Sequence, residues 1–301
     1  MTFFYFRGGF ENDCTVLRLD EYWYFVISVP SQHVKVYHYL NRSLPSNGSV
    51  QLRDVTSMYT AFNCIGPDAE ELLYKLSGSR VTKADFPAMT CKILNISQAT
   101  DVLVMRLTHA GEDGFILYVP SEYALHVYSS LCNEKDFGVQ LAGHQALRSL
   151  RIERFFLYWG SDLNPSVTPL QCDRETRVDF TKPYFLGKKA LLQEKQQGIY
   201  RRVVQLLLHP DRFNPHWVDA WPWSSEPVFR NGQYVGMTTS CGWGYSLERM
   251  VCLAYVRNSN PDEPVTLDYL TSGQYEVEIA GTRYPAAINL YPPKLPDPNL
   301  C

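Results

Sequence analysis

The chain has 301 residues, 45% hydrophobic and 20% charged, with 28 basic against 31 acidic side chains and a net charge of −3. That composition can bury a core, which excludes a disordered chain, and the lack of any long Lys/Arg run excludes a surface that tracks nucleic-acid phosphates. No apolar run approaches the roughly 20 residues of a bilayer span, and the eight cysteines form no C-x-x-C pair, so free thiols in a reducing compartment and no protein-held metal are expected.

The opening MTFFYFRGGF has neither the layout of a signal peptide nor the bias of a transit peptide. Either a cytosolic protein or a natural start further upstream follows. Arg7-Gly8-Gly9 with Glu11 and Asn12 reads as a turn feeding a strand over 14–19, and a second strand covers 22–29. Asp13 then sits at a turn-to-strand junction, either as an ordinary turn aspartate or as a carboxylate facing a cleft. A helix over 32–40, a loop at 45–49 and strands over 50–58 and 61–65 come next. Gly66-Pro67-Asp68 opens a short helix that turns Leu72, Leu73 and Leu76 inward.

Residues 92–119 alternate as strands, and Gly111-Glu112-Asp113-Gly114 predicts a type I′ hairpin turn. The turn chemistry does not require Glu112, whose carboxylate at a hairpin tip can accept two parallel N–H bonds. A helix over 123–132 follows. The next helix, over 143–157, carries Arg148, Arg151 and Arg154 along one stripe, and Gly160 with Asp162-Leu163-Asn164-Pro165 ends it. Two readings stand for this segment: a core-packed helix with a solvated charged face, or an arginine edge that, beside the turn rich in Trp, Asn and Asp, forms one wall of a site for a flat anionic ligand.

A helix over 182–197 precedes short strands at 203–208, 226–229, 234–240, 250–256, 265–270, 275–279 and 284–290. These are separated by turn residues and predict a small barrel or sandwich. Trp217, Trp221 and Trp223 are either a contact surface or the seal of a domain junction. The proline-rich end is expected to be extended.

In order, GG-x-E-x-D (8–13), IGP (65–67), GEDG, SLRIE (149–153), W-G-x-D (159–162), TPL (168–170), FLGKKAL (185–191) and NGQYVGMTTS (231–240) resemble the folate-binding aminomethyltransferase family. That family includes the glycine-cleavage T protein and the C-terminal halves of dimethylglycine and sarcosine dehydrogenases. The resemblance implies an α+β fold: a folate-binding aminomethyltransferase-like domain over 1–198 without its usual N-terminal segment, a small all-β barrel over 199–292 and a tail over 293–301. It also implies a possible tetrahydrofolate ligand. Asp13 would assist the folate N5 nitrogen, Glu112 would hold the pterin edge, and Arg148 or Arg151, beside Tyr158 and Trp159, would meet the glutamate tail.

Three departures point away from catalysis by this chain alone. One wall of the family's folate domain is expected to be missing, Gln171 stands where a glutamate is common, and Gly242-Trp243-Gly244 lacks the third glycine of a flavin site, so no FAD is expected. ALRSLRIERFF, WPWSSEPVFRNGQYVG and YSLERMVCLAYV are most similar to a regulatory branch of the family. The resemblance to it implies as partner the magnesium-dependent pyruvate dehydrogenase phosphatase catalytic subunit, with reduced magnesium sensitivity of that subunit as the effect, and a mitochondrial matrix location. A tetrahydrofolate-dependent one-carbon transferase, the folate half of a dehydrogenase-like oxidoreductase and a shortened product without independent activity remain as alternatives.

Overall fold

The computed structural model describes residues 2–213 and 219–293. Trp217 and residues 294–301 of the expected tail lie outside the described residues. The chain divides into two compact units, one formed by Met1–Cys14 with Gln145–Cys301 and the other by Thr15–His144.

The first unit opens on an antiparallel pair, β1 (Thr2–Phe4) and β2 (Phe10–Asp13). The sequence places its first strand later, at 14–19, and reads Gly8-Gly9 only as a turn. The pair forms because the glycines allow the chain to reverse in a confined space. Gly8 has φ 83°, and a Cβ on Gly9 would lie 1.8 Å from the Pro165 carbonyl oxygen. The Phe10 amide donates to the Val167 carbonyl at 3.0 Å, fixing β2 against the segment after the arginine helix.

The second unit begins with a hairpin, β3 (Thr15–Arg18) and β4 (Tyr24–Ile27), followed by α1 (His33–Asn41). Residues 50–58, expected as a strand, hold only a single 3-10 turn at Thr56–Met58. Next come β5 (Tyr59–Ile65), α2 (Ala69–Ser77), β6 (Cys91–Ile96), β7 (Ala99–Met105), β8 (Gly114–Pro120) and α3 (Ala124–Asn133). The four strands form an antiparallel sheet in the order β5-β8-β7-β6.

Both faces of this sheet are covered, which is why FILYV and VLVM are apolar without interruption. Val102, Val104, Phe115 and Leu117 pack in one cluster with Leu73 and Val127 of the helices, while Leu103, Met105, Ile116 and Tyr118 pack with Leu17 and Phe25 of the hairpin. Fully buried side chains such as Phe86 and Phe115 each contribute about 1.5–3 kcal/mol. The GEDG segment departs from expectation. Residues 106–113 form a wider connection, and neither Glu112 nor Asp113 has the positive φ of a type I′ turn. Close approach explains Gly114 instead: at φ 151°, a Cβ there would lie 2.3 Å from the Cys64 carbonyl oxygen.

The first unit resumes with α4 (His144–Glu153). It ends well before Gly160, because Phe155 takes a left-handed φ of 60°. The Phe156 amide then bonds the Arg151 carbonyl at 2.7 Å and the Phe155 amide bonds Ile152 at 3.1 Å, the double closure of a Schellman cap. Leu157 is thus past the helix. The helix expected over 182–197 begins later, as α5 (Lys188–Gln197), after Gly187 turns the chain at φ 90°.

The remaining strands are β9 (Arg201–Leu208), β10 (Pro227–Arg230), β11 (Gln233–Gly244), β12 (Arg249–Arg257), β13 (Tyr275–Ile279) and β14 (Thr282–Asn289). They close a barrel in the order β10-β11-β12-β9-β14-β13, with β10 pairing back to β13. Asn231-Gly232 and Ala280-Gly281 turn two of its hairpins with positive φ at both central residues. Residues 265–270, expected as a strand, instead lead into a short helix, α6 (Leu267–Thr271). The Thr266 hydroxyl accepts from the Tyr269 amide and caps it. The barrel core includes Val204, Leu206, Val228, Met250, Ala254 and Val277, and Ile152 of α4 packs outside it on Leu207, Val251 and Leu253.

Candidate functional site

The W-G-x-D segment is built around a fully buried carboxylate, Asp162. Arg151 donates through Nη1 to Asp162 Oδ2 at 2.8 Å and to the Phe156 carbonyl at 2.9 Å, and through Nη2 to Ser240 Oγ at 2.9 Å. The Tyr158 amide donates to Asp162 Oδ2 at 2.9 Å, and the Thr239 and Ser240 hydroxyls donate to Oδ1. A register shift in β11 between Thr238 and Ser240 places these two neighbouring hydroxyls on one acceptor. Burial lowers Arg151 from its ordinary value, and the Asp162 charge opposes that shift. The guanidinium of Arg151 is therefore committed to joining α4 to the barrel. Its ring neighbour Tyr158 lies 5.3 Å from it, and Trp159 is buried in the same turn.

Gln205 and Glu153 complete the joint. Gln205 Nε2 donates to the Ile152 and Glu153 carbonyls at 2.8 and 3.2 Å, and Glu153 Oε1 accepts from the Leu247 amide at 2.7 Å. Sequence reasoning placed Asp162 in a helix stop and in the W-G-x-D motif, and Glu153 at the end of the SLRIE motif, without assigning either a bracing role, and it did not name Gln205. The signal was present in the W-G-x-D motif, since an aspartate that a turn alone requires has no reason to be fully buried.

Asp13 ends β2 and is exposed. Its charge acts on Arg177, which burial and then the like charge of Arg174 lower from its usual value while Asp13 raises it. It also acts on Cys172, whose thiol burial pushes up to about 12. Two buried donors in this neighbourhood lack a hydrogen-bond partner, Asn12 Nδ2 and Arg174 Nε. Orphaned buried donors are costly, and acceptors from ordered water or from a ligand reaching this neighbourhood would complete the set. Asn12 was read only as a turn residue, and Arg174 and Arg177 were not singled out because they carry no motif of their own.

Glu112 lies in the second unit, in the connection before β8. The Thr108 hydroxyl donates to its carbonyl oxygen, and Lys83 pairs with Asp113 at 2.7 Å. Arg148 stands apart from Arg151 on α4: its Nη2 donates to the Trp223 carbonyl at 3.1 Å, and its guanidinium lies 5.6 Å from the Trp223 ring centroid. Gln171, the neutral residue in a position where the family resemblance expects charge, bridges two ionic side chains. Its amide nitrogen donates to Glu194 at 2.9 Å, and its oxygen accepts from Arg201 Nε and Nη2 at 3.1 and 2.8 Å. The seven cysteines among the described residues are free, with Cys241 and Cys252 facing each other across β11 and β12. No helix of the described residues is long and apolar enough to cross a membrane.

Residues 2–182 match the GCVT N-terminal domain, and residues 201–293 match the glycine cleavage T-protein C-terminal barrel domain. The chain is 46% identical over 291 residues to the mitochondrial pyruvate dehydrogenase phosphatase regulatory subunit of Mus musculus, covering 95% of this chain and 33% of that one. It is 33% identical over 251 residues to the mitochondrial dimethylglycine dehydrogenase of Homo sapiens, covering 83% and 27%. The chain thus spans a third or less of the length of these two curated relatives. Among solved structures, the aminomethyltransferase T of the glycine cleavage system from Bartonella henselae superposes with a TM-score of 0.77 at 21% identity, over 97% of this chain and 74% of that one, a likeness of fold.

Proposed function

Because the chain belongs to the glycine cleavage T-protein family, carrying its GCVT N-terminal domain and its C-terminal barrel domain, we propose that it is a non-catalytic regulatory module of that family. It associates with the magnesium-dependent catalytic subunit of pyruvate dehydrogenase phosphatase in the mitochondrial matrix and lowers that subunit's sensitivity to magnesium. The observation that carries this reading is the 46% identity, sustained over 95% of the chain, to a relative named as that phosphatase's regulatory subunit. Regulation of this kind is a coupling free energy between a protein interface and a metal site. Direct association of the purified chain with the catalytic subunit, followed by biolayer interferometry, is the expected result; absence of saturable binding at micromolar concentrations overturns the reading.

A folate-type pocket belongs to the same proposal. Asp13, Asn12 and Arg174 would hold a reduced folate. By the family resemblance, Glu112 would take the paired N–H edge of a pterin. Tetrahydrofolate, when bound, supplies a nucleophilic N5 for one-carbon transfer. The chain's own contribution is a carboxylate, Asp13, to orient and stabilise that nitrogen, with two buried donors to fix the ring. The orphaned Asn12 and Arg174 donors favour the second reading, in which the chain is itself a tetrahydrofolate-dependent one-carbon transferase or the folate half of a larger oxidoreductase. Titration with tetrahydrofolate separates the two. A saturable rise in thermal midpoint that is lost in Glu112→Ala supports the pocket, turnover lost in Asp13→Asn supports the transferase, and no shift in a cooperatively folding protein removes the folate ligand from both.

A further inference from the structure

A cavity of about 590 Å³ lies in the first unit, and neither Asp13, Asn12, Arg174 nor Arg151 lines it. Its wall brings together three cations distant in sequence, Arg148 of α4, Arg201 at the start of β9 and Arg257 at the end of β12, with the rings of Trp223, Tyr234 and Tyr255. Seryl and threonyl hydroxyls complete it, and no aspartate or glutamate is among the lining residues. Its volume is in the range of sites for small organic ligands.

The arginines rest on neutral partners. Arg201 donates to the Gln171 amide oxygen and, at 2.6 Å, to the Ser166 carbonyl, and its guanidinium lies 5.0 Å from the Tyr255 ring centroid. Arg148 bonds the Trp223 carbonyl. Neither makes an ion pair with a carboxylate among the described residues, and the same holds for Arg257. Burial lowers Arg201 from its ordinary value, and the like charge of Arg257 adds to that shift against the opposing influence of Tyr255 and Glu194. Gathering guanidinium groups that lack a direct ion pair costs free energy that a bound anion returns, and the planar fork of arginine suits phosphoryl oxygens two at a time. An adjoining cavity of about 870 Å³ shares Arg201 and Arg257 but carries Glu194 and Glu263, so the carboxylate-free cavity is the one that suits an anion.

The aromatic side chains define the rest of the ligand. Trp223 and Tyr234 are 57% and 56% exposed, so each leaves aromatic surface for a ligand ring, with the Arg148 guanidinium already against Trp223. We propose that this cavity binds a ring-bearing diphosphate of nucleoside-diphosphate size, with the diphosphate on Arg201 and Arg257 and the ring against Trp223. Such a site contains none of Asp13, Asn12, Arg174 and Glu112 and does not depend on the regulatory reading.

The test is titration of the full chain with ADP, inorganic pyrophosphate and citrate at fixed ionic strength without magnesium, following thermal midpoint and tryptophan fluorescence. ADP is expected to raise the midpoint saturably and quench fluorescence, with pyrophosphate and citrate at least about tenfold weaker. Arg257→Gln, at an exposed strand end where folding is retained, is expected to weaken ADP about tenfold or more, and Trp223→Leu to remove the preference for ADP over pyrophosphate. Glu112→Ala should bind ADP as the parent does, which distinguishes this site from the folate pocket. No saturable ADP effect at millimolar concentration, an unchanged affinity in Arg257→Gln, or pyrophosphate binding as tightly as ADP overturns the proposal.

Discussion

Asp162 shows why residue type alone did not reveal its role. A turn aspartate before Asn164-Pro165 is chemically ordinary, yet this one is fully buried and accepts from Arg151, Tyr158, Thr239 and Ser240. Removing one member of such a pair leaves the other charge buried without compensation, typically at about 3–5 kcal/mol. Asp162→Ala is therefore expected to lower stability by about that amount in urea denaturation, and a loss under about 1 kcal/mol would contradict the bracing role. A different aspartate gives a pH signature. The Asp54 pKa is lowered from 3.8 to about 2, first by the Thr56 amide, then by the Thr56 hydroxyl and by His33. A depressed folded-state carboxylate contributes stability that is present above its unfolded value and lost as pH falls through the folded one. The stability difference between the parent and Asp54→Asn should accordingly shrink between pH 4 and pH 2, and a difference that stays constant across that window would show that the Thr56 and His33 contacts do not hold the charge.

At the scale of elements, the barrel was the most legible part, because alternation and the Asn231-Gly232 turn both follow from backbone rules that need no distant partner. Three segments depart from the sequence reading, two through local backbone geometry and one through a distant partner. Residues 265–270 are apolar enough for a strand, but the Thr266 cap turns them into α6. Asp113-Gly114 resembles a hairpin turn, but the Gly66 amide takes the Asp113 carbonyl at 3.0 Å and Gly114 serves the approach of Cys64. The helix predicted to reach 157 stops at Glu153 because a non-glycine residue, Phe155, adopts the left-handed cap, which no local pattern announces. The β1–β2 pair gives a prediction at this scale. Gly9→Ala places a Cβ within 1.8 Å of the Pro165 oxygen, so backbone must move, and the expected cost is at least about 1–3 kcal/mol with a lower thermal midpoint. An unchanged midpoint would mean that the strand pair is not held against the 165–167 segment.

For the whole molecule, the family was legible because motifs from Gly8 to Ser240 stand in one order, and the matches over 2–182 and 201–293 agree with it. The candidate site was only partly legible. Asp13 and Glu112 are proposed from motifs alone, whereas the orphaned Asn12 and Arg174 donors and the grouping of Arg148, Arg201 and Arg257 emerge only once the chain is folded. The proposed regulation joins these parts to a partner's metal site, and it is most directly tested by the magnesium dependence of the pyruvate dehydrogenase phosphatase catalytic subunit. Activity would be measured across a magnesium titration with and without a saturating amount of the purified chain. The account predicts that the chain moves the half-maximal magnesium concentration upward while leaving activity at saturating magnesium unchanged; superimposable curves with and without the chain would contradict it.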